Sequence, residues 1–344
     1  MDRYQRRLQG LSRRVAMVLW LLTSAGACNL MPAISPPALG PAAQNVGGIQ
    51  GANAGSTSPT TMGAQPPSVA VKTSLLEQLS LERINRARLH PTAEAAAGGI
   101  DLNEGVQLSS RLDPTPKQPL AMNAILRRVA VEHSRDMLAR NYFDHLTPEG
   151  LSPFDRMRDV GFVFIAAGEN LAWRGTTGSL DPVNTVESQH DDLFVDVGIT
   201  NRGHRLVMLD GRFREVGIGI LRGSFTRSDG TAFSDSIIQT QDYATAPSLT
   251  TFVLGVVYDD LDGNGRYDFG EGVANSTVSL AGTAETTNEA GGYAFQVDQP
   301  GTLMLRFASG RTISLTIQPG DPNVKVDLVD ANRIVINLGL GLLN

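Results

Sequence analysis

Five histidines are spread through 344 residues, and two of them stand in short polar motifs with a third polar motif between. These are Tyr142-Phe143-Asp144-His145, Gly168-Glu169-Asn170 and Arg202-Gly203-His204-Arg205. An imidazole titrates near neutrality, and a carboxylate beside it can orient the ring or oppose its charge. Two neutral imidazoles brought together from separate segments can hold a divalent cation such as zinc, with Glu169 completing the shell or fixing a ring. The same trio can act on water as a general base and its orienter. No Ser or Cys stands in a recognisable nucleophile elbow and no His-Glu-x-x-His helix is present, which weighs binding above catalysis.

A second constellation is Asp260-Leu261-Asp262-Gly263-Asn264-Gly265-Arg266-Tyr267-Asp268-Phe269-Gly270-Glu271, which meets every position of the calcium-loop pattern. Side-chain oxygens of Asp260, Asp262, Asn264 and Asp268, the Arg266 carbonyl and a bidentate Glu271 suit a hard cation, and Gly265 permits the sharp turn. Its flanks, Val253 to Tyr258 and Thr277 to Leu280, read as strands, so the loop is not set in a helix-loop-helix hand.

Positioning these residues needs helices first and strands afterwards. A helix opens at Ser74, with Glu77 three residues on as a capping box and Leu76, Leu79, Ile84 and Ala87 on one face, and Pro91 ends it. A second helix spans about Leu120 to Asn141 with Leu126, Ala130, His133 and Met137 on one stripe, which makes His133 a core-edge histidine rather than a ligand. Asp181-Pro182 starts a third helix, with Val183, Val186, His190 and Leu193 on one face, that delivers the chain towards His204. Glu215 to Ile220 and Ser234 to Tyr243 alternate like strands. From Thr251 the pattern turns to short β segments: Phe252 to Tyr258, Thr277 to Leu280, Tyr293 to Val297, Leu303 to Phe307, Thr312 to Ile317 and Ile334 to Leu338. The fold class is α+β, an α-β-α sandwich followed by a small all-β sandwich, with the boundary near Ala246-Pro247-Ser248.

Ile84-Asn85-Arg86-Ala87-Arg88 with Pro91 and Glu94, Pro119-Leu120, His133-Ser134-Arg135-Asp136-Met137 and the three histidine and glutamate motifs follow one another in order. Over about residues 75 to 245 this resembles the CAP superfamily of cysteine-rich secretory, antigen 5 and pathogenesis-related proteins, and its bacterial branch in particular. The resemblance implies an α-β-α sandwich with a shallow cleft of two histidines and two acidic residues. His145 and His204 match the histidines and Glu169 the first acid; Glu187 is the natural second acid, with His190 or Asp196 as substitutes. Residues 251 to 338, with Thr286-Thr287-Asn288 and Gly292-Tyr293-Ala294-Phe295, resemble the B-type domains of serine-aspartate-repeat adhesins, in which calcium staples the sandwich.

A net charge of −6 argues against nucleic acid as a partner. Arg3, Arg6, Arg7, Arg13 and Arg14 precede the apolar run Val15 to Leu22 and then Thr23-Ser24-Ala25-Gly26-Ala27-Cys28, an export signal too short in its apolar part to span a bilayer. Ala25-Gly26-Ala27-Cys28 looks like a lipobox, with Ala25 where Leu is usual, so residues 1–28 read as a lipoprotein signal with Cys28 as the lipidated residue. Cys28 is the single cysteine, which leaves no disulfide for the exported part. Residues 29 to 71 hold no charged side chain and are rich in Pro, Gly, Ala, Ser and Thr, a flexible tether. The organisation expected is therefore signal 1–28, tether 29–73, CAP domain 74–248 and calcium-binding sandwich 249–344. The chain reads as a surface lipoprotein of the cell envelope, held to the membrane by its anchor and binding an unknown lipidic, envelope or protein ligand; the rivals are a metal- or histidine-assisted hydrolase and an adhesin-like structural protein. Cys28→Ala should move the protein from membranes to the soluble exported fraction, and mass spectrometry of the parent should find a diacylglyceryl group on Cys28; an unmodified cysteine rules the anchor out.

Overall fold

The structure, a computed structural model, describes residues 71–338, so Cys28, the signal and most of the tether lie outside the described residues. The first half is helical and the second extended, as α+β requires. Helix α1 (Thr73–Leu89) buries Leu76, Leu79, Ile84 and Ala87, the stripe the periodicity implies. Its N-cap is Lys72 with no side-chain cap, so Ser74 and Glu77 form no capping box. Glu77 is buried instead and takes Arg127 at 2.5 Å. Pro91 ends α1 and opens α2 (Pro91–Ala97), where its missing N–H would have had no helical partner in any case.

The second expected helix starts later than its apolar pattern. Ala121–Met122 forms β1, paired in parallel with Glu215 and Val216, and α3 (Ala124–Arg140) begins where the Asn123 side chain accepts the amides of Ile125 and Leu126. It stops at Asn141, whose φ of 56° is the left-handed cap that Asn tolerates. A capping box between Ser152 and Asp155 opens the short α4 (Pro153–Asp159). Residues 166–176 form a strand, β2 (Ala166–Thr176), which carries the Gly168-Glu169-Asn170 motif and which the sequence pattern did not assign. Helix α5 (Pro182–Val195) has Asp181 as N-cap, as its Asp-Pro start implies, and α6 (Gly203–Met208) carries His204.

Strands β3 (Glu215–Thr226) and β4 (Ala232–Thr245) complete a four-stranded sheet in the order β1-β3-β4-β2. Alternation sends Val216, Ile218 and Ile220 into one core with Leu79 and Ile84 of α1 and Val186 and Leu193 of α5. Gly217 and Gly219 face the other way, against α3. A Cβ on Gly217 would stand 2.0 Å from the Leu126 carbonyl carbon, and one on Gly219 2.3 Å from the Val131 nitrogen. Only glycine lets the helix backbone come this close to the sheet. The first unit is thus an α-β-α sandwich.

Beyond it, β5 (Phe252–Tyr258), β6 (Thr277–Leu280), β7 (Thr283–Thr286), β8 (Gly292–Gln296), β9 (Gly301–Phe307), β10 (Thr312–Ile317), β11 (Val324–Val329) and β12 (Arg333–Leu338) make two four-stranded sheets. Their orders are β10-β9-β6-β7 and β12-β11-β5-β8, with β5 and β11 parallel. Val253, Val278, Leu305, Phe307, Val324 and Val326 fill the space between them. Strands β7 and β11 are additions to the expected six.

The sandwich is not a separate body. Val256, Tyr258, Tyr267 and Val329 belong to the same core cluster as Leu76, Leu79 and Ile84 of α1. Lys325, 3% exposed, takes Glu82 of α1 at 2.9 Å and also pairs with Asp327. Asn323 donates to the carbonyls of Pro119 and Arg214 at 2.9 and 2.7 Å, and Arg214 answers with bonds to Gly320 and Asp321 carbonyls at 2.7 and 2.8 Å. Apolar continuity across Ala246-Pro247-Ser248 is something no local pattern announces. Among the described residues no helix is long and apolar enough to cross a membrane.

Candidate functional site

The structure sorts the motif residues into two histidine–carboxylate pairs. His145 lies in the loop after α3, and its Nδ1 is 2.7 Å from Glu169 Oε1 on β2. His204 opens α6, and its Nδ1 is 2.7 Å from Asp196 Oδ1, while its backbone N–H donates to Asp196 Oδ2 at 2.9 Å. Each carboxylate side chain is only 1% exposed, against 26% for His145 and 18% for His204. Each imidazole is therefore fixed through Nδ1 by a buried acid. Among the described residues neither Nε2 has a hydrogen-bond partner.

Glu187 is not the second acid of this arrangement. It is half-buried on the side of α5 that the helix turns towards α1, 3.9 Å from Arg83. His190, the other residue of that stretch, is 1% exposed and meets Glu94 at 3.1 Å, with Arg86 completing the cluster. Asp196 does the work expected of Glu187: it caps α5 at φ 57°, and this turn swings its carboxylate onto His204. Aspartate before a loop is a common helix end in its own right, so its type alone did not mark it.

Each pair rests on further residues: Arg156, which stands in none of the motifs, and His133 and Arg205, which do. Arg156 of α4 bonds Glu169 Oε2 through Nη2 and donates to the His145 carbonyl at 2.8 Å through Nη1. His133, 1% exposed on α3, bonds the Asp144 carbonyl at 3.0 Å and so holds the backbone beside His145. Burial pushes the His133 pKa down to about 4, in keeping with a core histidine. Arg205, wholly buried, donates to the carbonyls of Phe194, Leu102, Glu104 and Val195 at 2.6 to 3.1 Å and pins the loop that contains Asp196.

Burial alone would lower the His145 pKa, but the hydrogen bond and charge of Glu169 outweigh it and the net shift is upward. Burial would raise that of Glu169, yet His145 and Arg156 hold it well below the usual carboxylate range. The pair is thus an imidazolium–carboxylate bond over part of the acid range. As a metal centre it is incomplete. Among the described residues, Asp260, Asp262 and Glu271 form the one group of three or more His, Cys, Asp or Glu whose ligand atoms lie within 4.8 Å of one another. A zinc site ordinarily takes three or four protein ligands, and the Glu169 oxygens are already engaged by His145 and Arg156.

The acidic loop has the geometry of a cradle. Gly263 and Gly265 take φ of 72° and 75°, and Gly265 N–H donates to Asp260 Oδ2 at 3.0 Å. Glu271, 6% exposed, accepts Leu261 N–H at 2.9 Å on one oxygen and Asp268 N–H at 2.8 Å on the other. Asn264 donates to Asp262 at 2.9 Å and to Asp268 at 2.5 Å, so an N–H stands between two carboxylates that otherwise repel. Burial first, and then the charges of Asp268 and Asp262, raise the Glu271 pKa. An all-oxygen donor set around such a turn fits a hard cation.

Residues 81–243 match the family model described as "CAP: Cysteine-rich secretory protein family", and the chain carries a CAP domain there. It is 33% identical over 102 residues to the uncharacterized protein YkwD of Bacillus subtilis, covering 30% of this chain and 35% of that protein. It is 29% identical over 100 residues to the uncharacterized membrane protein YlbC of the same organism, covering 29% of this chain and 25% of that protein. The match thus spans about a quarter to a third of these relatives' length. Among solved structures, an extracellular protein containing a SCP domain from Bacillus anthracis is 26% identical, with a TM-score of 0.25 over 37% of this chain and 34% of that chain. An outer surface protein of Borrelia burgdorferi is 12% identical, with a TM-score of 0.29 over 51% of this chain and 97% of that chain.

The His145–Glu169 pair makes a pH signature. A histidine with a raised pKa stabilises the fold fully below its unfolded value near 6.5 and loses that contribution as pH rises through the folded value. A carboxylate with a depressed pKa stabilises above its unfolded value near 4.3 and loses that contribution as pH falls through the folded value. The destabilisation caused by His145→Ala, measured by denaturant unfolding, should therefore be largest between about pH 4.3 and 6.5 and smaller on both sides. A difference that is flat from acid to alkaline pH contradicts the pair.

Proposed function

We propose that the chain is an exported protein of the cell envelope whose CAP domain binds a lipidic ligand at the His145 and His204 loops. The observation that carries this is the pair of imidazoles, each fixed at Nδ1 by a buried acid with Nε2 unbonded, on segments that also expose large apolar side chains. Phe143, Leu146 and Leu151 are 40%, 47% and 41% exposed around His145, and Val197 and Ile199 are 52% and 38% exposed beside Asp196. Fixed polar groups among apolar surface suit an amphipathic molecule, with the imidazoles meeting its head group and the apolar residues its chain. The signal sequence and Cys28 support export and anchoring, and one of the relatives is named a membrane protein.

The ligand test uses full-length Cys28→Ala protein, so that the anchor does not contribute, with vesicles of phosphatidylglycerol and phosphatidylethanolamine. His145→Ala with His204→Ala should weaken binding by about tenfold or more, roughly 1.4 kcal/mol. Equal binding by the parent and the doubly substituted protein excludes these loops as the site.

The second part of the reading is calcium in the loop of Asp260, Asp262, Asn264, Asp268 and Glu271, with the Arg266 carbonyl. Calcium there would neutralise carboxylates already drawn together by backbone N–H groups. At a hundredfold excess over its dissociation constant it would stabilise the fold by about 2.7 kcal/mol. Because Tyr267 of this loop lies in the core shared with α1, the melting temperature of the whole chain should rise by several degrees. Asp262→Ala and Glu271→Ala should abolish the rise. An unchanged melting temperature with no heat of binding makes the loop an acidic turn and nothing more.

A further inference from the structure

The turn that delivers His204 is built from backbone conformations that most side chains avoid. Between the end of α5 and His204, Asp196, Gly198, Asn201 and Arg202 take φ of 57°, 83°, 57° and 54°. Asp and Asn tolerate the left-handed region and glycine is free in it, but an arginine there is strained. Asn201 and Arg202 are consecutive, with only Gly203 between them and His204. Such a pair persists only where the surrounding structure over-determines it.

What holds it is a segment that carries none of the motifs, residues 103–112 between α2 and β1. Asn103 closes this excursion at its base, donating to the Leu112 carbonyl at 3.1 Å and accepting the Leu112 N–H at 2.7 Å. Its body is fastened to the turn. Asn201 Oδ1 accepts the Gln107 N–H at 2.7 Å, and Asn201 Nδ2 donates to Ser110 Oγ at 3.1 Å. Arg202 bridges the two segments, with Nε donating to the Glu104 carbonyl at 3.3 Å and Nη1 to the Asp196 carbonyl at 2.8 Å. Arg205 holds the Glu104 carbonyl as well, at 3.1 Å. Gly105 makes room for this contact, since a Cβ there would stand 2.3 Å from Arg202 Nε. The backbone of Asp196 is thus tied to the excursion through one guanidinium, and the carboxylate of Asp196 is what fixes the ring and amide of His204.

We propose that residues 103–112 form a strap that sets the direction of His204, and that Asn201 is the positioning residue through which it acts. The carbonyl of His204 is fixed separately, by Asn170 at 3.1 Å. Released from the strap, the left-handed pair relaxes towards ordinary angles, Asp196 moves with it, and Nε2 of His204 loses its fixed aim. The bearing of the strap on ligand binding rests on the function proposed above; its hold on His204 does not.

NMR of the full chain tests this. The Nδ1–H of His204, sheltered by Asp196, should give a slowly exchanging imidazole signal. Asn201→Gly keeps the left-handed backbone and drops both side-chain bonds, so that signal should be lost to exchange while the one from His145 stays. Asn201→Asp keeps the acceptor for Gln107 and should retain it. Gly105→Ala should act as Asn201→Gly does, from the side of the strap. A His204 signal that survives in both Asn201→Gly and Gly105→Ala, whatever their melting temperatures, overturns the proposal, because the strap is then structural only. Equal loss at His145, or no such His204 signal in the parent, overturns it too. If Gly105→Ala fails to fold, Asn201→Gly decides alone. In the vesicle assay Asn201→Gly should weaken binding about threefold, half of the effect of the two histidines on a logarithmic scale. Unchanged vesicle binding together with a lost His204 signal upholds the strap and counts against the lipid site instead.

Discussion

A carboxylate sealed inside the sheet is the constraint from which the rest of this CAP domain follows. Glu169, with 1% of its side chain exposed, must be met by charge and by donors or it would not stay ionised. His145 and Arg156 meet it from a loop and a short helix, and Arg156 also binds the loop carbonyl, so the order of residues 145–156 depends on one buried charge. Asp196 repeats the device at the other loop, where one carboxylate receives both the ring and the backbone amide of His204. Both imidazoles are thus held by Nδ1, and Nε2 is what remains for chemistry.

The motifs that drew attention in the sequence divide into those that act and those that hold. Asn85 exchanges hydrogen bonds with the Leu120 backbone at 2.7 and 3.1 Å, and Arg88, fully buried, gathers the carbonyls of Gln118, Met208, Asp210 and Phe213. Arg205 does the same for the segments that end α5 and precede it in space. Guanidinium groups suit this task because five donors in a plane can satisfy several carbonyls that no regular element pairs. Ser134 binds the Gly219 carbonyl at 2.9 Å, where α3 already lies against the glycine-lined sheet. Much of the family wording therefore encodes loop closure and helix–sheet approach.

The junction between the two parts obeys the same rule of buried charge. Lys325 lies between Glu82 and Asp327, all nearly inaccessible, so removing any one leaves an unpaired charge in the interior. Tyr267 carries the acidic loop into the core that contains Leu76 and Leu79, which ties cation binding at the rim to the packing of α1. A sandwich that looks self-sufficient as a run of strands is instead half of a larger core.

Sequence by itself determined the α+β order, the helices around Leu79, Leu126 and Val186, most strands of the sandwich, the histidines, Glu169 and the shape of the acidic loop. Those features are local: apolar period, Pro and Gly positions, or a motif whose residues lie within a few places of one another. Tertiary structure decided the partner of His204, where Asp196 replaced Glu187, because a left-handed residue at the end of α5 aims the carboxylate in a direction that spacing cannot express. It also decided that residues 166–176 are a strand, since a segment whose apolar residues do not alternate becomes extended when β4 pairs along its whole length. Arg156, Asn201 and the joined core were invisible for one reason. Their meaning comes from what lies opposite them in the fold, 13 residues away for Arg156 and Glu169 and 94 for Asn201 and Gln107, and burial is a property of the assembled layers rather than of the chain.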